Sequence, residues 1–290
     1  MSWFPLTLLC AFSLATSDAL AKRALERHSE YMIVWLRLVL ATPFLLLALI
    51  FVPIPRPAPE FYPAFLLALP LEAVASLLYI RALKLSPLSL TLPFLALTPV
   101  FLLIVPFLLL GERITAFGAI GVLLIAVGTY VLNLGTARNG LLEPFRIVLR
   151  EKGAHCMIGV ALIYSVTSTL GKQAVVASSP VFFAALYFPV LALLLTPVVL
   201  HRSGDEFRGM LHSGVLPAAL WPALFYAVMV LTHMIAISMT QVAYMISVKR
   251  LSLLMGVLYG YFLFREAGIG GRFAGTAVML AGVVLITLFS

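Results

Sequence analysis

The stretch Thr240–Glu266, TQVAYMISVKRLSLLMGVLYGYFLFRE, decides how the chain is read. It is apolar and long enough to cross a bilayer, which takes about 20 residues, yet Lys249 and Arg250 stand side by side near its middle. At that depth each cation costs roughly 2.5 to 3.5 kcal/mol on insertion scales, so the pair must face a cavity or a counter-charge rather than lipid. As one helix, the segment gathers Gln241, Met245, Lys249, Ser252, Gly256 and Gly260 on one face by steps of three and four. That face is polar in its first half and thin in its second, and Arg250 lies about 100° round from it. These residues predict a positively charged binding position inside a membrane-embedded bundle.

The rest of the chain fits that solvent. Of 290 residues 63% are hydrophobic and only 10% are charged, and the mean hydropathy is +1.12, far beyond the roughly 45 to 50% apolar content of soluble domains. The apolar runs are continuous and near helix-crossing length, whereas barrel strands would alternate over about 10 residues. The expected class is an all-α, multi-pass membrane protein. The net charge of +8 does not point to nucleic acid, because the basic residues fall in short connectors and inside spans, where they act as topology signals beside anionic lipid. Cys10 and Cys156 lie in apolar runs and are expected as free buried thiols.

The first run, about Trp3 to Leu25, has a small-x-small site at Ala19-Leu20-Ala21 but no basic residue before it, so it reads as a retained helix rather than a signal peptide. Further spans are expected at about Tyr31 to Val52, Tyr62 to Leu83, Pro87 to Leu110 and Thr115 to Leu134. Pro53 to Pro59 forms a stiff connector, and Pro87, Pro93, Pro99 and Pro106 predict a bent fourth helix. Residues 135–153 place Leu141, Leu142, Phe145, Val148 and Leu149 at helical spacing among Arg138, Arg146 and Arg150, a basic amphipathic connector on the membrane surface. Five more spans follow, at about Ala154 to Val176, Val181 to Leu200, Gly214 to Met239, Thr240 to Phe264 and Gly270 to Leu288.

An internal repeat organises these ten helices. Leu110-Gly111-Glu112 recurs as Phe264-Arg265-Glu266, Gly121 and Gly128 as Gly275 and Gly282, Arg81-Ala82-Leu83 as Ile235-Ala236-Ile237, and Leu20 with Lys22 as Leu170 with Lys172. The units are 1–134 and 154–290, joined by 135–153. Five helices per unit is odd, so the second copy enters the membrane with opposite polarity, an inverted repeat that places binding near the midplane where the halves meet.

With these motifs the chain resembles the drug/metabolite transporter superfamily, EamA type, whose members carry two five-helix halves. The likeness rests on Leu109-Leu110-Gly111-Glu112-Arg113, on Phe264-Arg265-Glu266, on Tyr79-Ile80-Arg81-Ala82-Leu83-Lys84 and on the glycine-spaced fifth and tenth helices. Val248-Lys249-Arg250-Leu251-Ser252 is also similar to the cationic segment of nucleotide-sugar transporters, where the resemblance implies contact with phosphate. Two features depart from the pattern: Leu14-Ala15-Thr16-Ser17 stands where many members carry a tryptophan, and Arg265 replaces a glycine. The resemblance implies a bacterial-type inner-membrane carrier with both termini inside. The charges imply the opposite. The odd-numbered connectors hold most Lys and Arg, from Lys22, Arg23 and Arg27 to Arg202, Arg208 and Arg272, while the even-numbered ones hold Arg56, Arg113 and Lys172.

The expected function is secondary transport of a small anionic or zwitterionic metabolite, with Lys249, Arg250, Tyr244, Gln241, Arg37, Tyr79, Tyr164 and Ser168 as candidate substrate contacts. Burial and a nearby cation act in opposite senses on a carboxyl's protonation, which makes Glu72 and Asp18 candidate proton carriers, and His233 is a third. Each has a plainer reading. Asp18 has the spacing for a helix pair with Lys22, Arg37 for snorkelling to the interface, His233 for a satisfied core histidine, and the tyrosines and Trp35 for core packing. Ser165, Thr167, Ser168 and Thr169 suit bonds to their own helix, and the glycines close packing. An anionic-lipid flippase and a non-transporting assembly subunit are the alternatives; membrane lipid is a partner, and a homodimer is compatible. No HExxH, GxSxG, Cys/His cluster or nucleotide loop occurs, so neither an enzyme nor a resident metal or cofactor is expected.

Overall fold

The computed structural model describes residues 2–85, 92–134, 151–264 and 273–289. Among them only helices occur, as a bilayer demands of segments that must satisfy their own backbone. In chain order they are α1 (Trp3–Leu25), α2 (Glu30–Leu49), α3 (Phe61–Leu85), a 3₁₀ segment (Leu92–Ala96) running into α4 (Leu97–Phe101), α5 (Val105–Leu110) and α6 (Ala116–Leu134). After these come α7 (Lys152–Val176), α8 (Pro180–Arg202), the short α9 (Gly204–Arg208), α10 (Val215–Met239), α11 (Val242–Lys249), α12 (Leu251–Phe264) and α13 (Phe273–Phe289). Seven crossings are long and apolar enough for a membrane, α11 and α12 together counting as one, and Phe94–Leu110, Ala116–Leu132 and Ala274–Phe289 are shorter apolar stretches. Of the connector expected over 135–153, residues 135–150 lie outside the described residues, as do the motif residues Arg265, Glu266 and Pro87, while Glu151 caps α7 and Lys152 and Gly153 begin it.

Local chemistry sets the boundaries. Pro180 opens α8 while Ser179 Oγ accepts the Phe182 amide at 3.3 Å, an N-cap. Gly111, at φ 68°, closes α5 in the left-handed region that glycine enters without strain. The fourth crossing is broken as its prolines predict: Pro99 and Pro106 lack the amide that a continuous ladder needs.

The ninth crossing departs from expectation. Instead of one helix over Thr240–Phe264 it is α11 and α12, separated at Arg250. The Arg250 amide bonds Ser247 O at 3.0 Å and the Leu253 amide bonds Arg250 O at 2.9 Å, so the ladder tightens to three-residue spacing where the cations sit. No proline or glycine explains the break from sequence.

Alternating helix directions put the α2–α3, α5–α6, α7–α8 and α10–α11 links at one end with the start of α1 and the finish of α13. There Ala58 N donates to Ala177 O at 2.8 Å and Thr115 Oγ1 to Phe289 O at 3.0 Å. The α1–α2 and α8–α9 links meet at the other end, where Ser29 Oγ and Ser203 Oγ are 2.6 Å apart and His28 Nδ1 lies 2.7 Å from Glu206 Oε1.

The main helix pairs are α3 with α7, α1 with α10, α2 with both α8 and α10, and α6 with α13, the last packed most closely. The last pair is a glycine contact. A Cβ on Gly282 would come within 2.6 Å of Gly121 O, and one on Gly128 within 2.7 Å of Gly275 O, so backbones touch where any larger residue would hold them apart. Gly256 has nothing within 4 Å of its would-be Cβ, so close packing does not account for it.

Candidate functional site

The helix pairs leave a cavity of about 400 Å³ between the halves, open rather than sealed and lined from α1, α2, α3, α7, α8, α10 and the two broken crossings. Lys249 and Arg250 stand on its wall, at the α11–α12 break. Among the described residues neither pairs with a carboxylate. Lys249 Nζ lies 2.9 Å from His233 Nδ1 on α10. With the ammonium donating, that imidazole accepts at Nδ1 and carries its proton on Nε2. Arg250 Nη2 donates to Leu95 O at 3.3 Å, while its buried Nε has no protein partner.

A second charged group lies on the same wall. Arg37 Nη1 donates to Asp18 Oδ1 at 2.7 Å, and the guanidinium carbon stacks 4.5 Å above the centroid of the Tyr226 ring. Arg37 thus turns inward instead of snorkelling, and Asp18 has a charged partner from the neighbouring helix α2. Spacing along one helix could not reveal a pair made between two. The Asp18 side chain keeps 58% exposure against 19% for Arg37, so the carboxylate faces the open space. Glu72 lines the cavity beside Thr167 and within electrostatic reach of Lys249.

Of the eleven residues singled out from sequence, Lys249, Arg250, Arg37, Tyr79, Tyr164, Ser168, Glu72, Asp18 and His233 all line this space. Tyr244 and Gln241 do not. Tyr244 is 1% exposed, and its hydroxyl accepts the Thr115 amide at 3.1 Å, pinning α11 to the start of α6. Gln241 is extended and starts α11, its carbonyl taking the Met245 amide at 3.1 Å. The break at Arg250 ends the expected single face after Lys249, separating Gln241, Met245 and Lys249 from Ser252, Gly256 and Gly260. Trp35 is likewise structural, its indole N–H donating to Ala192 O and Thr196 Oγ1 at 3.1 Å each. Ser165 and Thr169 bond carbonyls of their own helix at 2.7 Å.

Sequence reasoning missed several parts of the wall, among them Tyr226, an aromatic face and a threonine. Phe183, Tyr187 and Phe188 form a connected aromatic face on α8, with Phe183 and Tyr187 stacked at 4.9 Å between centroids. The four-residue spacing of Phe183 and Tyr187 was the available signal. Thr98 is the threonine, hidden in a proline-rich run that resists periodicity arguments.

Beyond the cavity, Lys172 is a correction as well. Instead of standing in a connector it lies inside α7, where its ammonium pairs with Glu112 Oε1 and donates to Thr240 O at 2.7 Å. Glu112 Oε2 accepts the Val242 amide at 2.9 Å, so one carboxylate joins the α5–α6 turn, α7 and the head of α11.

Comparison with known proteins bears on this arrangement. A solved crystal structure aligns over 99% of both chains with a TM-score of 0.75 and 18% sequence identity, a likeness of fold. No curated protein matches the sequence. Residues 1–134 match the EamA-like transporter family. On that match, the first part of this multi-pass helical membrane protein, residues 1–134, is similar to the EamA-like transporter family.

Proposed function

We propose that the protein is a secondary active transporter that carries a small anionic or zwitterionic metabolite across a bacterial-type inner membrane by alternating access, with Lys249 and Arg250 at its central site. One observation carries the reading: two adjacent cations, unpaired by carboxylates among the described residues, face an open cavity between the halves. Holding them there is costly in a lipid environment unless an anion or water compensates. A volume of about 400 Å³ suits a metabolite, since ligand pockets run from roughly 300 to 1,000 Å³.

Part of the helix pairing supports an inverted repeat of ten crossings: exchanging the halves converts the α3–α7 pair into the α10–α1 pair and returns α2–α8 and α6–α13 to themselves, whereas the α2–α10 contact has only a weak counterpart in α3–α8. The two broken crossings exchange as well, and interrupted helices at the middle of such a plan are where substrate binds. Asp18, Glu72 and His233 are the proton-coupling candidates, since all three adjoin the same space.

The test is a ligand-stabilisation screen of anionic and zwitterionic metabolites on purified protein, run on wild type and Lys249→Ala. A true substrate raises the unfolding temperature in step with the logarithm of its concentration over Kd. The expected result is a hit whose shift is lost in Lys249→Ala. A hit retained unchanged would refute the central role of that cation.

A further inference from the structure

The bundle has two seams that the repeat makes equivalent, α2 against α10 and α8 against α3. Ser29 and Ser179 stand just before α2 and α8, and Phe61 and Val215 begin α3 and α10, both 25 residues long, so counting from these starts sets the register. Arg37 is then equivalent to Tyr187 and Glu72 to Tyr226, and all four line the cavity. The first seam is closed, with the Arg37 guanidinium 4.5 Å above the Tyr226 ring. The second is closed only over its first half, where the Phe65 ring meets Phe183 and Tyr187 at 6.2 and 5.8 Å between centroids. Past Pro70 a crevice bordered by Ser76 and Leu195 adjoins the cavity, whereas their equivalents Val230 and Leu45 are fully buried. Tyr187 donates to Ala68 O at 3.2 Å, one helical turn short of Glu72. Pro70 has no amide for the Leu66 carbonyl, so α3 can bend between Ala68 and Glu72 without losing a backbone bond.

We propose that Tyr187 and Glu72 form the contact that closes the α8–α3 seam in the opposite-facing state: α3 bends at Pro70, and the Tyr187 hydroxyl leaves the Ala68 carbonyl to donate to the Glu72 carboxylate. At the equivalent seam Arg37 leaves the Tyr226 ring and α2 parts from α10. This rests on the transport reading and its inverted repeat, and makes Tyr187 and Glu72 positioning residues that set the balance between the two states. A carrier needs both states populated. The exchange leaves each moving side chain a polar partner throughout, since Tyr187 has Ala68 O or Glu72 and Arg37 keeps Asp18 on α1. The hydroxyl acceptor changes from a neutral carbonyl to a carboxylate, which favours the second state and offsets the lost stacking of Arg37 on Tyr226.

The experiment places spin labels at Val74→Cys on α3 and Leu193→Cys on α8, both exposed on the outside of the bundle, in full-length Cys10→Ala/Cys156→Ala protein in lipid nanodiscs, and reads their separation by pulsed electron paramagnetic resonance. Two separations are expected, the longer one belonging to the open seam. Tyr226→Leu removes the ring under Arg37 and is expected to raise the short-separation population about fivefold. In that background Tyr187→Phe removes a hydrogen bond from both states, to a carbonyl in one and a carboxylate in the other, so it is expected to lower the short population about fivefold. Glu72→Gln should lower it similarly, and the two together no further than either alone. An unchanged ratio in Tyr187→Phe, or fully additive effects of Tyr187→Phe and Glu72→Gln, removes the contact while two separations keep alternating access standing. One separation in every variant removes both the seam closure and alternating access.

Discussion

Glu112 is the residue whose replacement is expected to be felt most outside the cavity. Its carboxylate takes the Lys172 ammonium on one oxygen and the Val242 amide on the other, with side-chain exposures of 12% for Glu112 and 15% for Lys172. Glu112→Gln keeps the size and an oxygen for the Val242 amide, so it isolates the charge. Removing one partner of a fully buried pair costs roughly 3 to 5 kcal/mol. Here the Thr240 carbonyl still accepts from Lys172 at 2.7 Å and some exposure remains, which brings the expected loss to about 2 kcal/mol, the range of a hydrogen bond to a charged group. In thermal unfolding of the purified protein that corresponds to a fall of about 4 to 8 °C. Lys172→Met supplies the other arm of a double-mutant cycle. Once the ammonium is gone, Glu112→Gln should cost about 1.5 kcal/mol less than it does in wild type. Additive losses in the cycle, or a Glu112→Gln protein within about 1 °C of wild type, would show that the carboxylate does not hold these three segments together.

Other outcomes follow from single contacts. Gly282→Ala drives a Cβ into the Gly121 carbonyl and is expected to cost about 1 to 3 kcal/mol as overpacking, whereas Gly256→Ala, with open space at that position, should unfold with wild type; equal behaviour of the two would contradict the close approach of α6 and α13. Tyr244→Phe deletes the bond to the Thr115 amide and should lower stability by about 1 kcal/mol while leaving ligand affinity untouched; a changed affinity would return Tyr244 to the site. Asp18→Asn leaves Arg37 with an uncharged partner beside the cavity, so binding of an anionic ligand should tighten and that of a zwitterion weaken, and titrations showing the reverse would remove Asp18 from the cation side of the site.

How far the sequence reached depends on what kind of signal each feature leaves. Crossing length and hydropathy are local, so α1, α2, α3, α7, α8 and α10 were legible from their own residues, and the cost of buried charge pointed to Lys249 and Arg250 without any fold. Glycines in register between two repeats foretold the α6–α13 contact, because a missing side chain has one use when backbones must touch. Pairings between helices leave no such local trace. Arg37 with Asp18 and Lys172 with Glu112 join segments that no periodicity relates. The break at Arg250 was silent for a different reason. It carries no proline or glycine, and the tightened turn is held by tertiary contacts such as Arg250 on Leu95 O and Lys249 on His233. That same break lies at the site, parting Gln241, Met245 and Lys249 on α11 from Ser252, Gly256 and Gly260 on α12, with both cations beside the cavity at the junction.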